Sequence, residues 1–145
     1  MKAVYPILGL ALMLASCGQT TAPAAQDASP LTSSPVMAAA IDPARLPAAI
    51  SYPDLARLLA EESSGLLLLD VRTQEEFLAG HIPGAILAPY DALISSFKEM
   101  DTARPIVVYC QSGRRSGLAK STLTSMGYTN VSDFGGIPNW KAGLE

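Results

Sequence analysis

The stretch Ile106-Val107-Val108-Tyr109-Cys110-Gln111-Ser112-Gly113-Arg114-Arg115-Ser116 decides how this chain is read. Its first four residues are apolar and mostly β-branched, follow Pro105, and have the length of a buried strand. The next seven are polar or small, and a helical pattern with Leu118, Thr122, Leu123 and Met126 on one face runs from Gly117 to Met126. The order is therefore strand, tight loop, helix. Such a loop turns several backbone N–H groups toward one point at the positive end of a helix, where an anion can be held without a metal. Cys110 opens the loop. The helix N-terminus and Arg114 and Arg115 are expected to shift its thiol toward thiolate, the nucleophilic form. The plainer reading of Cys110 is a structural cysteine at a strand end, since free Cys is among the most buried residue types.

Working outward, Leu66 to Leu69 are four consecutive leucines, and apolar runs without alternation imply burial on both faces, as in a parallel sheet. Before them, Ser51 can cap a helix with Pro53 in its first turn and Leu55, Leu58 and Leu59 on one face. After them, Thr73-Gln74-Glu75-Glu76 is a capping-box pattern for a short helix that Gly80 can end. Pro83-Gly84 suits the central positions of a type II turn. Ala85 to Leu87 reads as a short strand, Asp91 to Met100 as a helix with Leu93, Ile94 and Phe97 on one face, and Val131 to Phe134 as the last strand. Strands alternating with helices predict an α/β domain with a mainly parallel sheet of about five strands, flanked by helices on both faces. Ligands of such sheets bind beyond the carboxyl ends of the strands, and Asp70 and Cys110 each close a strand there.

The spacing Cys-x-x-Gly-x-Arg-Ser resembles the active-site loop of the rhodanese sulfurtransferases. Leu69-Asp70-Val71-Arg72 with Glu75, Glu76 and Phe77, then Gly80-His81-Ile82-Pro83-Gly84-Ala85, then Gly135-Gly136 with Trp140, follow in that family's order. The resemblance covers about the last hundred residues, one small domain, and implies the rhodanese fold. It also implies that Cys110 carries sulfur from an anionic donor such as thiosulfate to a thiol or cyanide-like acceptor through a persulfide. Arg115 would orient the donor, and Gln111, Ser112, Gly113, Arg114 and Ser116 would line the loop. Asp70 and Arg72 are read as bracing that loop or each other. His81, in a turn-forming stretch, is read as structural, Tyr109 as core, and Trp140 as packing on the Gly135-Gly136 turn.

Two other readings stay open. A Cys-dependent phosphatase or arsenate reductase of similar fold uses a loop one residue longer, with Arg at the sixth position after the Cys, where this chain has Ser116. A non-catalytic module of the same fold would bind without turning over, although such modules usually lack the Cys.

The chain has 145 residues, 49% of them hydrophobic, which suffices for one domain with a core. Its formal net charge of −3 and lack of a basic stripe exclude a phosphate-tracking nucleic-acid surface. One His and two distant Cys give no zinc-ligand spacing, and neither a metal nor a cofactor is expected. A monomer is expected.

The N-terminus resembles a bacterial lipoprotein signal. Met1-Lys2 is followed by an almost wholly apolar run from Ala3 to Ala15 and the box Leu14-Ala15-Ser16-Cys17. That run is shorter than the roughly 20 residues a membrane-spanning helix needs. Residues 1–16 are read as the signal and Cys17 as the lipidated N-terminus. Residues 17–45 are read as an Ala/Pro/Ser/Thr tether, and 46–145 as the rhodanese-like domain. The tether holds too few large apolar residues to fold and, at about 25 residues, spans on the order of 25–30 Å. The expected location is the cell envelope, lipid-anchored. A thioether at Cys17 leaves Cys110 as an unpaired thiol in an oxidising compartment, where it is prone to over-oxidation.

Overall fold

The computed structural model describes residues 41–97 and 101–145. The signal, Cys17 and the tether up to residue 40 lie outside the described residues. The elements follow in the order α1 (Tyr52–Ala60), β1 (Leu67–Asp70), α2 (Gln74–Leu78), β2 (Ile86–Leu87), α3 (Leu93–Ser96), β3 (Ile106–Cys110), α4 (Arg114–Ser125) and β4 (Val131–Gly136). Short 3-10 turns occupy Glu62–Ser64 and Ile137–Asn139.

All strand pairs are parallel, in the order β2-β1-β3-β4. The expected sheet of about five strands has four among the described residues, and a parallel bridge from Ala49 to Asp133 extends its β4 edge. Both central strands are buried along their whole length. Strand alternation divides their side chains between two layers. Leu67, Leu69, Val71, Ile106, Val108 and Cys110 face Leu93 of α3 and Ala119 and Leu123 of α4. Leu68, Val107 and Tyr109 face Leu55 and Leu58 of α1, together with Ile82 and Phe134. Burying one such leucine contributes about 1.5–3 kcal/mol, so the two layers hold the central strands from both sides.

Local chemistry sets the connections. Thr73 and Glu76 form the full capping box that starts α2. The Ala85 N–H donates to Ile82 O at 3.0 Å across a turn in which Gly84 has φ +78°, the type II geometry expected of Pro83-Gly84. Ser51 stands at the N-cap of α1, but its hydroxyl donates to the Asp54 carboxylate and takes no helix N–H.

Two sequence expectations are corrected. Of the helix expected over Asp91–Met100, the described residues show α3 at Leu93–Ser96, and residues 98–100 lie outside the described residues. In α3, Ile94 is 70% exposed while Leu93 is fully buried, so the two do not share a buried face. Helix α4 begins at Arg114, three residues before the expected Gly117. It buries Ser116, Ala119 and Leu123, leaving Leu118 half exposed. Trp140 packs edge-on to Tyr52 of α1 at 5.2 Å and to Phe134 of β4 at 6.4 Å.

Candidate active site

Strands β1 and β3 pair in register, Asp70 opposite Tyr109, so their carboxyl ends bring Asp70 and Cys110 to the same end of the sheet. The chain then turns through Gln111 and Ser112 into Gly113, the N-cap of α4, whose φ of +97° favours glycine. The turn folds backbone amides onto the sulfur, and the Gly113 N–H donates to Cys110 Sγ at 3.1 Å.

Cys110 is fully buried. Burial is the largest influence on its thiol and pushes the pKa up. The N–H groups of Ser116, Ser112 and Gly113, with the Ser116 hydroxyl, outweigh it and bring the thiol below its ordinary value. The shift expected from the helix N-terminus is therefore present as three amides. The thiol reaches Ser116 Oγ at 3.8 Å, and the Ser116 hydroxyl donates to Gly113 O at 2.9 Å with Gly135 O at 3.4 Å. One hydroxyl proton thus has sulfur and two carbonyls within reach.

Strand β4 forms the far wall. Its pairing with β3 slips by one residue after Val108, so that Gly136 comes opposite Cys110. A Cβ on Gly136 would lie 3.0 Å from Gln111 O and 3.2 Å from Ser112 Cα, so only glycine fits there without moving the loop. The sequence carried this signal as the Gly135-Gly136 pair, but not its reason.

Asp70 and Arg72 brace each other and the loop. Arg72 Nε and Nη2 donate to the Asp70 carboxylate at 2.6–3.0 Å, Nη2 also reaches Gly80 O at 2.8 Å, and Nη1 lies 3.5 Å from Gln111 Oε1. Both side chains are buried. Tyr109 is core, and its hydroxyl accepts the Ile82 N–H at 3.1 Å. His81 stacks on Phe77 at 3.7 Å, its Nδ1 lies 3.1 Å from Phe77 O, and its backbone pairs with Glu145, all structural contacts.

The two arginines of the loop differ. Arg115 is locked in a bidentate pair with Glu76 of α2, Nη1 to Oε2 at 2.6 Å and Nη2 to Oε1 at 2.7 Å. Its hydrogen bonds with Arg115 bring the Glu76 carboxyl down from 4.5 to about 2. Arg115 is pushed up first by Glu76 and also by the nearby Cys110. Arg114 is exposed and has no ion pair among the described residues. Sequence reading missed the Glu76 contact, because Glu76 showed itself only as a capping residue. Gln111 and Ser112 are exposed at the rim. Among the described residues no cluster of three or more His, Cys, Asp or Glu could hold a metal ion.

A sequence model of the family described as "Rhodanese-like domain" matches residues 51–143. Thiosulfate:glutathione sulfurtransferase of Saccharomyces cerevisiae is 30% identical over 102 residues, which are 61% of this chain and 73% of that protein. Thiosulfate sulfurtransferase PspE of Escherichia coli is 41% identical over 75 residues, 48% of this chain and 68% of that protein. The solved structure of a human single-domain sulfurtransferase matches with a TM-score of 0.54 at 33% identity, covering 63% of this chain and 91% of that one.

Proposed function

Because the chain belongs to the rhodanese-like family of sulfurtransferases, we propose that it moves a sulfane sulfur from an anionic donor such as thiosulfate to a nucleophilic acceptor through a Cys110 persulfide. The observation that carries this reading is the cradle of amides around Cys110 Sγ, with Gly113 N–H at 3.1 Å and a lowered thiol pKa.

The chemistry balances without a cofactor. The Cys110 thiolate attacks the outer sulfur of thiosulfate, the donor S–S bond breaks, and sulfite leaves with the electron pair. The new Cys110 persulfide is then attacked at its outer sulfur by cyanide or a thiolate, and Cys110 returns as thiolate. This is ping-pong covalent catalysis. The loop amides hold charge on either sulfur, and the free N–H groups of Arg115 orient the donor oxyanion, each charge-assisted bond contributing about 1.5–3 kcal/mol. Asp70 and Arg72 hold the loop by way of Gln111. Full burial of Cys110 makes access to Sγ part of the cost of the first step. The donor and acceptor named for the yeast relative, thiosulfate and glutathione, make a small thiol the acceptor to test beside cyanide.

Steady-state rates with thiosulfate and cyanide test the proposal. Parallel reciprocal plots and thiocyanate release that vanish in Cys110→Ser are expected. The hydroxyl of that variant stays protonated where the thiol ionises. Cys110-dependent hydrolysis of aryl phosphates without sulfur transfer would favour the phosphatase, and absence of both activities in folded, reduced protein would favour the binding module.

We also propose a monomer anchored to the cell envelope through lipidated Cys17, on the strength of the Leu14-Ala15-Ser16-Cys17 box and the tether composition. One acyl chain binds a membrane only marginally, whereas several anchor it stably. Fractionation should place the wild type with membranes and Cys17→Ser in the soluble fraction; identical behaviour of the two would refute the anchor.

A further inference from the structure

Glu76 serves two structures with one carboxylate. Its Oε2 accepts the Thr73 N–H at 3.1 Å to close the capping box of α2, and also the Arg115 Nη1 at 2.6 Å, while Oε1 takes Nη2 at 2.7 Å. Residues 39 apart in sequence are thereby joined, and α2 is tied to the first turn of α4 beside the Cys110 loop. A guanidinium has five N–H donors. Glu76 engages one on each terminal nitrogen and leaves three, with the plane of the group fixed by the bidentate contact. The side chains remain 25% and 29% exposed, so this is a rim feature that meets whatever enters.

Charge around the loop is correspondingly reduced. Arg72 is compensated by Asp70 and Arg115 by Glu76, so of these three arginines Arg114 alone has no ion pair among the described residues. Such a rim spends anion affinity on a fixed guanidinium.

We propose that Glu76 is a positioning residue for sulfur transfer, holding Arg115 in place beside the Cys110 loop while limiting how tightly an anionic donor binds. This rests on the sulfurtransferase reading, which it deepens. A merely structural strut would change stability, and with it the amount of active protein. A positioning carboxylate moves two kinetic constants in opposite senses. Without Glu76 the mouth gains a unit of positive charge, which favours the anion, but Arg115 loses the contact that fixes it.

Glu76→Gln is the informative variant, since glutamine still accepts the Thr73 N–H and preserves the capping box. It should lower the KM for thiosulfate roughly three- to tenfold at low ionic strength, an effect that salt erodes. It should also slow kcat for persulfide formation about tenfold. Glu76→Asp keeps the charge and can cap the helix but is too short to reach Arg115, so kcat should fall without the drop in KM. A readout free of sulfur transfer is the ratio of Cys110 alkylation by iodoacetate, an anion, to that by neutral iodoacetamide. The ratio should rise several-fold in Glu76→Gln and stay near wild type in Glu76→Asp. Wild type that forms no persulfide, with the alkylation ratio still rising in Glu76→Gln, would sink the sulfurtransferase reading and its positioning role while supporting the control of anion entry by Glu76. Wild type that forms persulfide, with KM and the ratio unchanged in Glu76→Gln, would overturn that role alone. A lower melting temperature with KM and the ratio unmoved would reduce Glu76 to a strut, which also overturns it.

Discussion

Adjacent strands of this sheet end in two buried polar side chains whose partners are of different kinds. At the end of β1 the Asp70 carboxylate is buried and met by Arg72 through three contacts of 2.6–3.0 Å. At the end of β3 the Cys110 thiol is equally buried, yet what draws it toward thiolate is backbone N–H and one hydroxyl. A carboxylate paired in this way is spent, since its counter-ion cannot turn to an incoming group without leaving a buried charge alone. Amide dipoles carry no proton to lose and move only with the backbone, so they can hold thiolate, persulfide and the charge between them in turn. The paired end is the frame, and the dipole-held end is the place where chemistry can happen.

The largest effect should come from breaking the paired end. Arg72→Ala or Asp70→Asn leaves a buried group without its partner and should cost about 3–5 kcal/mol in chemical denaturation. A cost near zero in both would mean that the pair does not frame the sheet. Next is Gly136→Ala, whose Cβ meets Gln111 O at 3.0 Å. Overpacking should cost roughly 1–3 kcal/mol, and displacement of the amides should slow persulfide formation more than the stability loss explains. An unaltered rate would show that β4 does not set the loop.

Smaller, and aimed at the dipoles, is Ser116→Ala. Persulfide formation needs the thiolate, so its rate should rise with pH and level off below the value of about 8.5 of a free thiol. Since the hydroxyl is among the groups lowering this pKa, its loss should move the profile to higher pH. A profile that does not move would leave the amides alone responsible. Smallest is Arg114→Ala: loss of an exposed cation that has no ion pair among the described residues should raise the donor KM only about two- to threefold, and only at low salt. A larger loss than in Arg115→Ala would reverse the roles assigned to the two arginines.

Much of this frame was legible in the sequence because local rules decide it. The β-branched run Ile106–Tyr109, the leucine run, the Thr73–Glu76 box and the Pro83-Gly84 turn each follow from near neighbours, and the structure keeps all four. The start of α4 was misread because its first turn is Arg114-Arg115-Ser116, which has no apolar period to see, and because its buried face uses Ser116 and the small Ala119. Of the residues expected on that face, Leu123 is buried and Leu118 is half exposed. The site was legible as a loop around Cys110 but not as a set of contacts. Neither the Glu76–Arg115 pair nor the approach of Gly136 to Gln111 has a local signature, since both join segments far apart in the chain.

The central claim, that the dipole-held Cys110 is a sulfur carrier, is tested most directly by the mass of the reduced domain before and after incubation with thiosulfate. The account predicts the gain of one sulfur atom located at Cys110, its removal by cyanide, and no gain in folded Cys110→Ser. A folded, reduced wild-type domain whose mass does not change, or a gain that persists in Cys110→Ser, would contradict it.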